Sequence, residues 1–359
     1  TVNLIHNLAQ DSVVCCLRFN KAATLLATGS NRCVCLYDVK TGNKIATFTD
    51  PSSSPSGSGE SGDQFFRTIS FSPDEKTLIS GSEDSLIHFW DIESQKQIFT
   101  LAGHEQDIYS VEFYGDGKFL ASGSGDKTVK LWDLSKRTCI NTLHAGTPDS
   151  SKDSGITSLS ISPNGKFLAA GSLDRLIRIW ELPSGNPVDV IEGHGDSIYS
   201  LAFTSDGKHL VSGSLDKTTR VWGFESGDNL KGGKCLYDLN GHKDFVLSVT
   251  GSPDGKWLLT GSKDRSVQCW DVETGSVQFM LQGHKNSVIG IVFSTNGKFF
   301  ATASGDFRAR IWSFESVQDD LAMDSSSLES VSKQLRKTEE SFDEAEDDYV
   351  EDGFAEESE

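Results

Sequence analysis

The chain has 359 residues, 52 of them acidic and 33 basic, for a formal net charge of −19. The charge is uneven: residues 315–359 hold 17 acidic and 3 basic side chains, a net of −14, whereas residues 1–314 hold 35 and 30, a net of −5. A body so nearly balanced lacks the clustered Lys and Arg on which phosphate-backbone binding draws, which counts against direct nucleic-acid binding. No long apolar run and no basic-then-apolar N-terminus is visible, so neither a membrane span nor a secretory signal is predicted. Seven Cys is an odd number for a disulfide framework in a chain long enough to bury a core, and a reducing compartment fits best. The chain starts Thr1-Val2 without Met and reads as a fragment whose upstream region is missing.

The predicted elements, in chain order, are copies of one pattern. Trp90, Trp132, Trp180, Trp222, Trp270 and Trp312 recur at intervals of 42, 48, 42, 48 and 42 residues. Val2-Asn3-Leu4-Ile5 alternates like a lone strand ahead of the first copy, which is degenerate: it ends at Tyr37-Asp38, with Tyr for Trp and a turn one residue short. A low-complexity loop, 49–64, includes Pro51-Ser52-Ser53-Ser54-Pro55-Ser56-Gly57-Ser58-Gly59, and the second copy then ends at Trp90-Asp91 without a Gly-His. The third is complete: Gly103-His104, the alternating run Ile108 to Phe113, Leu120 to Asp126, and Val129 to Trp132-Asp133. The fourth has Ala170 where its neighbours have Ser or Thr, and Gly193-His194, Gly241-His242 and Gly283-His284 open the last three. Alternation of period two, broken by Asp-Gly and Asn-Gly turns such as Pro163-Asn164-Gly165 and Pro253-Asp254-Gly255, predicts antiparallel strands.

Four strands per copy at a period of roughly 40 to 45 residues is the mark of WD repeats. Seven copies predict an all-β, seven-bladed WD-repeat β-propeller over 1–314. The strand at 2–5 is expected to pair with the three strands of the last blade, closing the ring and removing a sheet edge. After Phe314 the pattern stops. Ser325-Ser326-Ser327 would cap a short helix with Leu328, Val331 and Leu335 on one face. The whole acidic tail 315–359, ending in the charged stretch 339–359 interrupted by Phe342, Tyr349 and Phe354, reads first as disordered. The sharper alternative is a linear motif that folds on a partner or docks on a propeller face, and with the missing Met it fits a partner's segment joined to the propeller.

Within the copies a His, a Ser or Thr, an Asp and a Trp resemble the tetrad of WD-repeat proteins, in which they hydrogen-bond inside a blade. A buried indole N–H needs a partner, and a Ser–His–Asp chain supplies one. The complete sets are His104, Ser122, Asp126, Trp132; His194, Ser212, Asp216, Trp222; His242, Thr260, Asp264, Trp270; and His284, Thr302, Asp306, Trp312. Ser, His and Asp also suggest a hydrolytic triad, but a nucleophile is single and exposed, whereas this set occurs four times at buried positions. No catalytic, metal or cofactor site is predicted: the Gly-His residues lie on separate blades, Cys15-Cys16 and Cys33-x-Cys35 lie in strand patterns as small buried thiols, and the Gly-x-Gly stretches at 57–59 and 123–125 are a loop and a turn.

What remains is a binding surface on the propeller's top face. Two positions flanking the first apolar residue of each innermost strand, and a third preceding the tetrad Asp, should point there. These are Phe65, Arg67, Glu83, Asp107, Tyr109, Leu173, Ser197, Tyr199, Phe245, Leu247, Lys263, Ser287 and Ile289, a set rich in the aromatics and Arg of protein-binding hot spots.

Several stretches look like one family, the fungal Tup-type general transcriptional corepressors. They are Ser12-Val13-Val14-Cys15-Cys16 with Leu26-Ala27-Thr28-Gly29, Gly103 to Ser110 (GHEQDIYS), Ala170 to Arg175 (AGSLDR), Gly241 to Val249 (GHKDFVLSV), Gly261 to Arg265 (GSKDR), and Leu281 to His284 (LQGH) with Asn286 to Ile289 (NSVI). The resemblance implies a nuclear, non-enzymatic adaptor whose top face binds DNA-binding repressors, with Phe65, Thr68, Glu83, Tyr109, Leu173, Tyr199, Lys263, Asn286 and Ser287 as contact residues. Phe65 stands where the family commonly has Tyr. A tetratricopeptide-type partner would bind an N-terminal region that this chain lacks, and the propeller itself is expected to be monomeric. The alternative is a scaffold or substrate-adaptor propeller in a ubiquitin ligase or in ribosome assembly.

Overall fold

The computed structural model describes residues 1–49, 63–146, 153–224 and 230–315. Most of the low-complexity loop, and the tail with Phe342, Tyr349 and Phe354, lie outside these. Every strand or helix assigned among the described residues is a β-strand, and the 28 strands form seven four-stranded antiparallel sheets. The first sheet contains Cys16–Phe19, Leu25–Gly29, Cys33–Asp38 and Lys44–Thr49 in chain order, and the next five repeat that order. Tight turns join the first two strands of a blade. Gly165 and Gly255 take φ of +70° and +72° there, a region that costs glycine nothing.

The innermost strands are Cys16–Phe19, Phe66–Phe71, Ile108–Tyr114, Ile156–Ile161, Ile198–Phe203, Val246–Gly251 and Val288–Phe293. Each touches the innermost strands on either side, and the seventh touches the first, so the blades form a closed ring. Together they line a central cavity of about 480 Å³. The apolar cores lie between blades. Seven buried clusters fill the joints between neighbouring blades, and one of them packs Ala301, Ala303, Ala309 and Ile311 of blade 7 on Val14, Leu17 and Leu26 of blade 1. Hydroxyls from one innermost strand also accept backbone N–H groups of the next. Thr68 accepts from Val111, Ser110 from Leu159, Ser158 from Leu201, Ser200 from Val249 and Ser248 from Ile291, at 2.9–3.2 Å.

Closure uses the N-terminal segment, as the alternation at 2–5 suggests, but the strand is longer. Val2–Ala9 pairs antiparallel with Arg308–Phe314 from Val2 opposite Phe314 to Ala9 opposite Arg308, with a bulge between Leu4 and His6. That bulge explains why period-two alternation breaks after Ile5. Deleting residues 1–9 should lower the thermal midpoint by about 5 °C or more, because the outer edge of blade 7 is exposed and the ring loses its clasp. An unchanged melt of the truncated chain would contradict this role.

Candidate functional site

The site rests on buried polar chains that hold the top loops. In blade 5, Trp222 Nε1–H donates to Ser212 Oγ at 2.8 Å, Ser212 Oγ lies 2.6 Å from His194 Nε2, and His194 Nδ1 lies 2.8 Å from Asp216 Oδ2. A neutral imidazole protonated on Nδ1 satisfies every atom of this chain. The same order links Trp132, Ser122, His104 and Asp126; Trp270, Thr260, His242 and Asp264; and Trp312, Thr302, His284 and Asp306. Each Asp also accepts the backbone N–H of the residue after the His: Glu105, Gly195, Lys243 or Lys285. Burial alone would raise the Asp126, Asp216 and Asp264 carboxyls, but hydrogen bonds, from the paired His foremost, hold all three well below the usual carboxylate range. Burial lowers His284, which favours its neutral form. Ser122, Ser212, Thr260 and Thr302 are fully buried, with each hydroxyl already accepting an indole N–H, so none is an available nucleophile.

The three irregular copies reach the same end with other residues. In blade 2, the buried His88 stacks on Trp90 at 5.6 Å and binds Asp84 through Nε2 at 2.9 Å, while Trp90 donates to Ser80. In blade 1, Gln10 stands in for the His, donating to Thr28 Oγ1 at 3.1 Å and to the Tyr37 hydroxyl at 2.7 Å. In blade 4, Ala170 leaves no hydroxyl, and Arg178 instead binds Asp174 at 2.6 Å and Ser172 at 2.9 Å. Sequence reading missed Gln10, His88 and Arg178. For His88 and Arg178 the available signal was their place two residues before a tetrad Trp, on the same strand face.

The ring of predicted contact residues has a specific backbone cause. In blades 2 to 7 the innermost strand slips register by one residue after its first apolar residue: Ile108 faces Ser124, but Ser110 faces Gly123. The extra residue is Arg67, Tyr109, Thr157, Tyr199, Leu247 or Ile289. Such a bulge turns its side chain out of the ladder, so these residues gather at one end of the channel. Tyr199 is 42% exposed, and Tyr109, Arg67, Leu247 and Ile289 are half-buried. Cys15 takes the equivalent place in blade 1, where burial pushes its thiol up to about 11, and Thr157 ties its hydroxyl to the carbonyls of Gly171 and Ile198.

Around this ring the other predicted residues fall into pairs. Glu83 accepts from Arg67 Nε at 2.8 Å, from Arg67 Nη2, and from the Phe65 backbone N–H at 3.1 Å, while the guanidinium lies over the Phe65 ring at 5.2 Å. Glu83 therefore positions Arg67 and Phe65. Tyr109 donates to Asp107 at 3.3 Å, and burial followed by the Asp107 charge pushes its phenol up to about 12. Lys263 lies 4.8 Å over the Phe245 ring, Ser197 donates to the Leu173 carbonyl at 2.9 Å, and Asn286 accepts the Ser287 N–H at 2.7 Å. Thr68 is the exception among the expected contact residues. It is buried one step below the rim with its hydroxyl engaged by Val111, so it braces the blade 2 and 3 joint instead of facing outward.

These features define a seven-bladed WD-repeat propeller. The chain belongs to the family described as WD domain, G-beta repeat, which matches residues 3–38, 55–91, 95–133, 137–181, 185–223, 233–271 and 275–313. Six of the seven matches open on the outermost strand of the preceding blade, the exception being 55–91, and this offset of one strand is what the closing strand resolves. The chain is similar to the general transcriptional corepressor tupA of Dictyostelium discoideum, 48% identical over 30% of this chain and 18% of that protein. It is similar also to the transcriptional repressor rco-1 of Neurospora crassa, 47% identical over 31% of this chain and 17% of that protein. The general transcriptional corepressor TUP1 of Saccharomyces cerevisiae is 37% identical over 31% of this chain and 22% of its own length. The matched stretches thus take up only about a fifth of each relative.

Ser212→Ala should destabilise the chain by about 2–4 kcal/mol, since both His194 Nε2 and the Trp222 indole N–H lose their buried partner; a denaturant titration within error of the parent would contradict the buried chain. The tetrad carboxyls have depressed pKa values in the folded state, so the stability they confer is complete above the ordinary carboxyl value of about 4 and is lost as pH falls below it. Melts in the acid range should therefore be steeper for the parent than for Asp216→Asn, which is already destabilised at neutral pH.

Proposed function

We propose that this propeller is a nuclear corepressor module that binds DNA-bound repressor proteins through its top face. The observation that carries the reading is the conjunction of a ring of bulge residues, exposed or half-buried and including Tyr109, Tyr199 and Arg67, with relatives named as transcriptional corepressors or repressors at 37–48% identity. Phe65, Glu83, Leu173, Phe245, Leu247, Lys263, Asn286 and Ser287 complete the surface. Phe65 and Phe245 present rings held by Arg67 and Lys263, so apolar area is offered without loose side chains. The balanced body favours contact with DNA through protein partners and not with its phosphates. The propeller acts as a monomer in this role, and the tetratricopeptide-type partner implied by the resemblance has no contact assigned on it.

Tyr199→Ala should reduce capture of DNA-binding regulators from a nuclear extract at least about tenfold while leaving the melting midpoint unchanged, with Tyr109→Ala behaving alike. Capture unaffected in both variants, or recovery of ubiquitin-ligase subunits or ribosome-assembly factors instead, would overturn the reading.

A further inference from the structure

The rim is not electrostatically uniform. On blades 2 and 3 it carries Asp63, Glu105 and Asp107 against the single cation Lys127, which enters no ion pair among the described residues, and the nearby Arg67 is already held by Glu83. On blades 6 and 7 the sign reverses. Lys243, Lys263 and Arg265 are exposed or close to it and enter no ion pair among the described residues, and outside the tetrads the sector's carboxylate is Asp244. The Asp264 and Asp306 carboxylates face inward to His242 and His284.

On blade 7, at the turn position that Arg265 takes in blade 6, stands an exposed aromatic that sequence reading did not select. After each tetrad-position Asp of blades 2 to 7 one residue adopts a left-handed backbone: Ser85, Lys127, Arg175, Lys217, Arg265 and Phe307, with φ between 65° and 76°. Five of these are polar or cationic. Phe307 is the exception, a bulky ring in a conformation that disfavours one, 46% exposed and outside every apolar cluster among the described residues. An exposed ring kept in a strained turn is a feature of contact surfaces and adds nothing to the core.

We propose that the rim of blades 6 and 7 is the sector that receives an acidic peptide segment carrying a hydrophobic side chain, which packs on Phe307 and Phe245 while its carboxylates meet Lys243, Lys263 and Arg265. This deepens the corepressor reading and rests on it, since it names the chemistry of the partner at the same face. A protein segment fits better than a nucleic acid. The carboxylates of Asp107, Asp196 and Asp244 interrupt the rim and would repel a continuous phosphate backbone, whereas a peptide can place a few negative charges opposite a few cations.

The test uses the full chain and a fluorescent synthetic peptide of Asp and Glu with one central Phe, beside its Asn/Gln counterpart and an oligothymidine strand. The acidic peptide should bind with an affinity that falls as salt rises, and its neutral counterpart should bind at least about tenfold more weakly. Lys243→Glu combined with Arg265→Glu should abolish the acidic peptide's binding. Phe307→Ser should weaken it at unchanged melting midpoint, because Ser85 already occupies the same turn position in blade 2. Salt-independent binding, binding unchanged in these variants, or equal binding of the oligothymidine would overturn the proposal. If Tyr199→Ala abolishes regulator capture while the blade 6 and 7 variants leave capture and peptide binding intact, the sector assignment falls and the corepressor reading stands. If none of the variants alters capture, both fall.

Discussion

Every apolar core among the described residues lies between two blades, and so the ring must close. A sheet of four short strands has no core of its own; it is stable only when both faces are covered, and a propeller covers them with neighbours. The joint between the last blade and the first brings Ala301, Ala303 and Ile311 against Val14, Leu17 and Leu26, residues nearly 300 positions apart in sequence. Joining them carries the largest loop-closure entropy of the fold. Here the hydroxyl link that ties five of the other joints is missing, because Gly290 replaces the Ser or Thr. The pairing of Val2–Ala9 with Arg308–Phe314 supplies the connection instead.

Closure makes the blades rigid, and the polar chains transmit that rigidity to the loops. An Asp that accepts a His, its own following backbone N–H groups and the N–H after the His fixes two loops of the blade at once, as Asp216 does for residues 194–195 and 216–218. The identity of the participants is negotiable. Gln10 with Tyr37, His88 with Asp84, and Arg178 with Asp174 satisfy the buried groups by different routes. What each blade requires is a donor that can be buried beside an Asp or a hydroxyl without an orphaned partner.

On that frame the bulge at the head of six innermost strands turns a structural repeat into a variable surface. The residues before and after each bulge must pack between blades, so they are small or apolar. The bulge residue itself is released from the ladder, and its side chain ranges from Arg67 to Tyr199 to Ile289. Rigid backbone with free choice of side chain is the condition for a recognition site of defined chemistry.

The sequence by itself determined the all-β class and the number of blades. Trp spacing, period-two alternation and Gly-containing turns are local, repeated signals, and repetition averages out their individual weakness. It also identified the four regular tetrads, because their spacing is constant. Tertiary structure alone decided which residues substitute in the irregular blades, since Gln10 reaches Thr28 and Tyr37 only after the first strand has crossed to blade 7. It likewise moved Thr68 from the rim to a joint and brought out Phe307, whose exposure depends on a left-handed turn and on neighbours that leave its ring uncovered. Periodicity reports which face of a strand a residue occupies; what stands opposite that face is set by the neighbouring blade, some 40 residues away or at the other end of the chain.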